Sequence, residues 1–501
     1  MTLIDSTIVF VYLAAIVAVG IIYRGRQDDI RDYFTAQNGF AGSLGTIMVG
    51  LSLGATLFSA LSFVAFPSIV YTYGVTSLTA LLGYPAAYLV LRFWFLPRYL
   101  ARAQNSPYDI IEKRFGKNTR LTASGMFVLL RLCWMAALIY APVIVIMASC
   151  NLDGSWFWPL ITTIGLTSTV YTAVGGIRGV IITDAIQFLL ILAVLLVTII
   201  YILVKIPLSM GEISVYLHSN TGLLELNWSL DLTLTMTVWA MAIGGTMQNM
   251  SSFTADQMSL QRYLASGSVK SAASAFGTSM ITTTIVLLML SAVGLTLGAW
   301  YSVHPDASLP TDADKVFPHF VATQLPLGFM GLIIAAILAA TMSSITSGIN
   351  ALSGSLLNDF SALSERVERK QLLRWARWTS GGVGGLATLV AGFVHGMGSL
   401  FDIMNAFYGI FLGPLLGCMF CTLSRLRVSG GPLITGMVIG CISGIGVAYS
   451  SLANLWVSLF SAAVTVIIAW VGSRLTRFAS PTSRGEAVEI PSLTVAKPNQ
   501  R

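Results

Sequence analysis

The chain has 501 residues, of which 55% are hydrophobic and only 10% charged, with a formal net charge of +7. Ordinary soluble domains carry about 25% charged residues, and a soluble body this apolar would expose more greasy surface than water tolerates. Together with a mean hydropathy of +0.79, the composition excludes a soluble enzyme, a nucleic-acid binder and a disordered chain. It points to an all-α polytopic membrane protein. Five cysteines do not make a disulfide framework. Cys418 and Cys421 have C-x-x-C spacing, but no second pair completes a zinc site. A P-loop pattern is absent from the sequence, so the chain by itself is not expected to use ATP.

A helix that crosses a bilayer needs about 20 mostly apolar residues. Thirteen runs qualify, at about 6–23, 43–66, 76–97, 121–149, 157–174, 180–206, 233–253, 273–300, 325–356, 376–395, 398–424, 430–449 and 453–473. The first run lacks a basic leader and is followed by Arg24 and Arg26, so it reads as a retained helix and not a signal peptide. With the N-terminus outside, 24 of the 28 Lys and Arg residues face the cytoplasm. Lys205 and Lys315 remain in outer loops, and Arg92 and Arg131 fall inside spans. This asymmetry is a strong positive-inside signal. The basic balance thus sets topology and implies no nucleic-acid partner. The tail, 474–501, is polar, holds Pro481, Pro491 and Pro498, and is expected to be disordered and cytoplasmic. Short loops and a short tail point to a plasma-membrane protein, in a bacterium one of the inner membrane.

Polar groups inside hydrocarbon are costly and mark pathways. The second span, VGLSLGATLFSALSFVAF (49–66), is interrupted by Gly50, Gly54, Ala55, Thr56, Ser59 and Ser62. That density suits either a mid-membrane helix break, which frees carbonyls to hold a cation, or a close-packing face. Asp184, with Gln187 one turn on, lies inside the sixth span. It needs a cation or a basic partner such as Arg178. In the seventh span Gly244, Gly245, Gln248 and Asn249 predict a break near the middle, with Asp256, Gln257, Gln261 and Arg262 at its cytoplasmic end as a gate or an interfacial cap. In the ninth span Ala340, Ser343, Ser344 and Ser347 share one helical face, bordered by Thr346. Their oxygens suit either a hard cation such as sodium or helix packing.

Seven ordered segments carry a resemblance: RDYFTAQNG (31–39), GATLFSALSF (54–63), YDIIEKRFG (108–116), YTAVGGIRGVIITDAIQ (171–187), ADQMSLQRYLA (255–265), AATMSSITSGIN (339–350) and DIMNAFYGIFLGPLLG (402–417). Through them the chain resembles the sodium:solute symporter family from about Asp32 to Pro432. The resemblance implies a leucine-transporter-type five-plus-five inverted repeat. Its halves would be 43–206 and 233–424, joined by an outer loop at 207–232. An extra N-terminal helix and loop (1–42) would precede them and two helices (425–473) follow. It also implies one sodium site from the carbonyls of Ala55, Phe58 and Ala340 and the hydroxyls of Ser343 and Ser344, and a second from Asp184, Ser343, Thr346 and Ser347. Two sodium ions per substrate are expected as coupling ions, and no cofactor is expected.

Departures from the family narrow the substrate. Sugar carriers place a Glu in the third span and a Lys early in the eighth. Here 76–90 holds no acid or amide, and Ile281 falls at the Lys position. Sialic-acid carriers place an Arg in the fourth span where Trp134 aligns, although Arg131 lies one turn away. The segment 132–146 resembles monocarboxylate and vitamin carriers at Tyr140, Ala141 and Pro142. The expected cargo is a small organic carboxylate. Its pocket would be formed by backbone N–H groups of the broken second span, by Ser59 and Ser62, and by Arg131, Trp134, Gln248, Asn249, Asn405, Phe407 and Tyr408. Arg131 also fits a packed or snorkelling arginine, and the aromatics fit gates or packing. Proton coupling through Asp184, and amino-acid or sugar transport, are the alternatives. A channel lacks its ring of acids or filter repeat, and a sensor lacks an appended domain. An enzyme is not expected: His218, His304 and His319 lie in outer loops, and His395 borders a span without an acid. No protein partner is required beyond the bilayer.

Overall fold

The computed structural model describes the chain except residues 1, 24–41, 103–107, 151, 220–221, 312–314, 358–368, 395–399 and 480–501. The 31–39 segment, His395 and most of the tail thus lie outside the described residues. The described residues are helical, without a strand. Among the described residues, eight stretches are long and apolar enough to cross a bilayer, with two shorter apolar helices at Ser43–Thr56 and Phe407–Leu423. The stretches Ala60–Leu100 and Gly154–Lys205 each cover parts of two of the thirteen apolar runs, and the second bends at Gly176.

Helix α1 (Leu3–Ile22) starts at a reciprocal cap, in which Thr2 and Asp5 satisfy each other's backbone. Helices α2 (Gly42–Leu57) and α3 (Ala60–Tyr73) form one interrupted span. The interruption is at Phe58–Ser59, where Ser59 is extended and its hydroxyl accepts from the Ser62 N–H at 3.4 Å. Helix α4 (Lys117–Cys150) comes after a short helix at Asp109–Phe115. Arg114 of that short helix donates to the carbonyls of Thr422 and Leu426, at 2.8 and 2.5 Å, just where the apolar run at Phe407–Leu423 ends. A cation there satisfies carbonyls that a helix terminus leaves unpaired.

Helix α5 (Phe157–Lys205) has 49 residues. A straight helix of that length would be about 73 Å long, more than twice the ~30 Å hydrocarbon core. Gly176, at φ +58° and ψ −171°, turns the chain and divides the run in two. That backbone region belongs to glycine.

The seventh span departs from expectation. Helix α6 (Gly245–Thr254) runs unbroken through Gln248 and Asn249, after a π-helical turn at Ala240–Gly244. The break comes later, at Ala255–Asp256, before α7 (Gln257–Ala265). Gly244 and Gly245 serve close packing: a Cβ on Gly244 would meet the Leu455 backbone, and one on Gly245 the Ala80 side chain. The two glycines mark a contact, not an interruption.

Helices α8 (Val269–Val303), α9 (Phe329–Ser355), α10 (Arg369–Ala391), α11 (Leu400–Leu423), α12 (Gly430–Ala448) and α13 (Val457–Ala479) complete the bundle. The core is centred on α9, which is buried along nearly its whole length against α5, α4, α1 and α2. Its N-terminus is held from α1. One Asp5 carboxylate oxygen accepts from the N–H groups of Gly328 and Gly331, at 3.0 and 2.9 Å. The other accepts from Thr2. Gly331 leaves no room for a Cβ, because the Asp5 backbone lies against it.

Gly176→Ala should lower stability by about 1–3 kcal/mol, the cost of forcing a side chain into this backbone region. Gly381→Ala, in α10 with nothing near its Cβ position, should be neutral or stabilising by up to about 1 kcal/mol. Thermal unfolding of the two detergent-solubilised variants tests the contrast, and equal midpoints would sink it.

Candidate functional site

The α2–α3 break lies against the serine face of α9. The Ser343 hydroxyl donates to the carbonyls of Ala55 and Ala340, at 3.2 and 3.1 Å. The Ser344 hydroxyl donates to those of Thr56 and Phe58, at 3.2 and 3.3 Å. All of these residues are buried. A hydroxyl has one proton, so two protons here serve four carbonyls. The surplus of oxygen lone pairs, enclosed and neutral, is what a small hard cation needs. The structure brings together all five residues expected at the first sodium site and adds the Thr56 carbonyl. In the sequence Thr56 stands out only as an interruption of the apolar run.

The second expected set is partly assembled. Asp184 is fully buried, and its partner is Arg262 at 3.0 Å, while Arg178 is exposed. The same carboxylate oxygen accepts from Ser52 at 2.8 Å and from Ser347 at 3.2 Å. The Thr346 hydroxyl instead donates to the Ser343 carbonyl at 3.2 Å, and the Ser343 hydroxyl belongs to the first site. Gln187 turns away and donates to the Tyr12 hydroxyl at 2.8 Å. Sequence reasoning missed Ser52 and Thr56 as partners of Asp184. The signal was present, since the two lie four residues apart on one face of α2. Arg262, which the sequence places at the cytoplasmic end of the seventh span, is fully buried.

A second buried ion pair joins Arg131 of α4 to Asp256 at the α6–α7 break. The guanidinium also lies 5.6 Å from the Tyr408 ring centre, and Trp134 packs edge-on against Tyr408 at 4.3 Å. Arg131, Trp134 and Tyr408 of the expected pocket are thus one cluster. Arg131 is engaged by a carboxylate of this chain. The Tyr108 hydroxyl donates to the Ala255 carbonyl at 2.6 Å and holds the same break from another side. Ser59 and Ser62 sit at the α3 start with their hydroxyls 3.4 Å apart. Gln248 and Asn249 are half-buried on α6, and Phe407 is half-buried on α11. The Asn405 side chain lies outside the described residues.

A span broken at mid-membrane, with its freed carbonyls facing hydroxyls of a buried helix, is the architecture of a secondary transporter. Residues 33–440 match the sodium:solute symporter family, and the chain belongs to that family. It is a multi-pass, sodium-coupled carrier of a small solute, of a family of transporters and not of enzymes. The sodium/sialic acid symporter SiaT of Proteus mirabilis is 28% identical over 484 residues, spanning 93% of this chain and 94% of its own. The sodium/sialic acid symporter NanT of Aliivibrio fischeri is 30% identical over 444 residues, spanning 86% and 84%. A solved Na+-coupled sialic acid symporter, substrate-bound and outward-open, superposes with a TM-score of 0.84 at 27% identity, covering 95% of this chain and 98% of that one.

Removing one member of a buried ion pair leaves an uncompensated charge and costs about 3–5 kcal/mol. Arg131→Ala and Asp256→Ala should each lower stability by that order, and the double variant by less than their sum. A double-mutant cycle on thermal unfolding measures this, and strictly additive losses would remove the pair as a stabilising contact.

Proposed function

We propose that the protein imports a small organic carboxylate together with sodium, by alternating access. The observation that carries this reading is the convergence of the Ser343 and Ser344 hydroxyls on the carbonyls of the α2–α3 break. Sodium there bridges two halves of a broken span and a third helix. An ordered break in turn presents backbone N–H groups at the start of α3, where Ser59 and Ser62 lie, to an anionic cargo. Sialic acid is the first cargo to test, because relatives similar along nearly the whole chain carry that name. In this reading Arg131 supplies the cation on parting from Asp256, Trp134 and Tyr408 supply aromatic faces, and Gln248, Asn249, Asn405 and Phe407 are the further candidates for the lining.

In this reading 43–206 and 233–424 are inverted repeats of five spans each, within thirteen passes. The N-terminus lies outside and the tail from 474 in the cytoplasm, with 1–42 and 425–473 as additions to the core. Coupling is a matter of linkage: sodium that favours the ordered break raises affinity for the cargo, and the cargo raises affinity for sodium by the same factor. At −100 mV each inward positive charge is worth about 2.3 kcal/mol, so one sodium cancels the opposing voltage on a singly charged carboxylate and the sodium concentration gradient drives uptake. A second ion at Asp184 and Ser347 would make import electrogenic and add about 2.3 kcal/mol, roughly 50-fold more accumulation.

The test is a thermal-shift panel in sodium, potassium and choline buffers, with sialic acid, small monocarboxylates, pantothenate, proline and hexoses. A ligand of the folded state raises stability by RT ln(1 + [L]/Kd). The expected result is a carboxylate that stabilises in sodium alone. Ser343→Ala combined with Ser344→Ala should fold but lose the sodium-dependent shift and sodium-driven uptake. Full uptake by that variant removes the sodium assignment.

A further inference from the structure

Arg262 has four side-chain oxygen partners from three separate helices, and they form one cradle. Its Nε donates to the Ser52 hydroxyl at 3.1 Å. Its Nη2 donates to the Thr56 hydroxyl at 2.6 Å, to the Asp184 carboxylate at 3.0 Å and to the Ser347 hydroxyl at 2.5 Å. All five residues are buried. One carboxylate and three hydroxyls are the hard-oxygen donors that suit a small cation. The other Asp184 oxygen is buried without a hydrogen-bond partner, so the cradle holds an oxygen that the guanidinium does not use.

Charge makes the two occupants exclusive. One carboxylate balances one cation, and a sodium ion beside a retained guanidinium would bury two positive charges against a single negative one. Arg262 is mounted on α7, a nine-residue helix that begins at the Ala255–Asp256 break. Asp256 is in turn paired with Arg131.

We propose that Arg262 is a tethered cation that competes with a second sodium ion for the cradle of Ser52, Thr56, Asp184 and Ser347. In the arrangement described here the chain binds one sodium, and entry of the second requires Arg262 and α7 to withdraw. Ion stoichiometry is thereby tied to the position of α7. The proposal rests on the reading that the first sodium sits at Ser343 and Ser344.

Equilibrium binding of radioactive sodium to purified protein tests it. The wild type should bind one ion at low sodium and a second only at far higher sodium, where that ion must displace Arg262. Arg262→Gln should bind a second ion, because its cradle keeps the carboxylate and loses the competitor. Asp184→Asn combined with Arg262→Gln leaves no unpaired buried charge and should return to one ion. An Arg262→Gln isotherm that overlays the wild type overturns the proposal, as does a double variant that retains the second ion. Should Arg262→Gln fail to fold, hydrogen exchange on the wild type decides. The amides of 257–265 should exchange several-fold faster in saturating sodium than in potassium, and unchanged or slower exchange refutes withdrawal. Ser343→Ala with Ser344→Ala separates the two readings. Undiminished binding there removes the first site, whereas the Arg262 comparison judges the second.

Discussion

A backbone carbonyl in hydrocarbon must find a donor within the protein, and the two-residue break between α2 and α3 leaves several without one. The hydroxyls of Ser343 and Ser344 answer that demand incompletely, two protons for the three break carbonyls of Ala55, Thr56 and Phe58, while Ser343 also reaches the Ala340 carbonyl of its own helix. Much of the bundle serves to keep this place dry and fixed. The helix that carries the serines is enclosed by its neighbours on every side, and glycines on α2 let α8 approach α2: a Cβ at Gly50 would run into Thr278. Small residues on α2 are therefore both a packing surface and the source of the break, and the two readings of that span are complementary.

Beside this neutral centre lie two buried ion pairs, and both involve the chain around the α6–α7 break. Asp256 joins it to α4 through Arg131, and Arg262 joins it to α5 through Asp184. Buried ion pairs are poor sources of net stability, since desolvation offsets most of the attraction. Their worth lies in being expensive to break singly. A segment held by two such pairs has a small number of allowed positions, which is what a carrier needs of a moving part.

Helical periodicity puts Ser343 and Ser344 on one face and the α2 glycines stand out in an apolar run, which left a cation site and helix packing equally open; the set of five residues came from the family resemblance. Sequence reading reached Asp184 for the simpler reason that a carboxylate in a span needs a partner. It did not find that partner. Arg262 is 78 residues away, and a basic residue near a cytoplasmic loop looks like any topological charge. The same limit hid the pairing of Arg131 with Asp256, since nothing local links α4 to the α6–α7 break. The seventh span was misjudged for a related reason. Glycine marks a helix break and a close helix contact alike, and only the neighbour, here Leu455, tells them apart.

The single carboxylate of Asp5 is shared between two helices. One oxygen completes the start of α1, and the other completes the start of α9. The first helix is thus bolted to the helix that bears Ser343 and Ser344. Sliding or rotating α9 against α1 would sever two charge-assisted hydrogen bonds at once. The inexpensive motions are those that leave this joint intact. In mechanical terms α1 and α9 form one stator, joined through a single carboxylate.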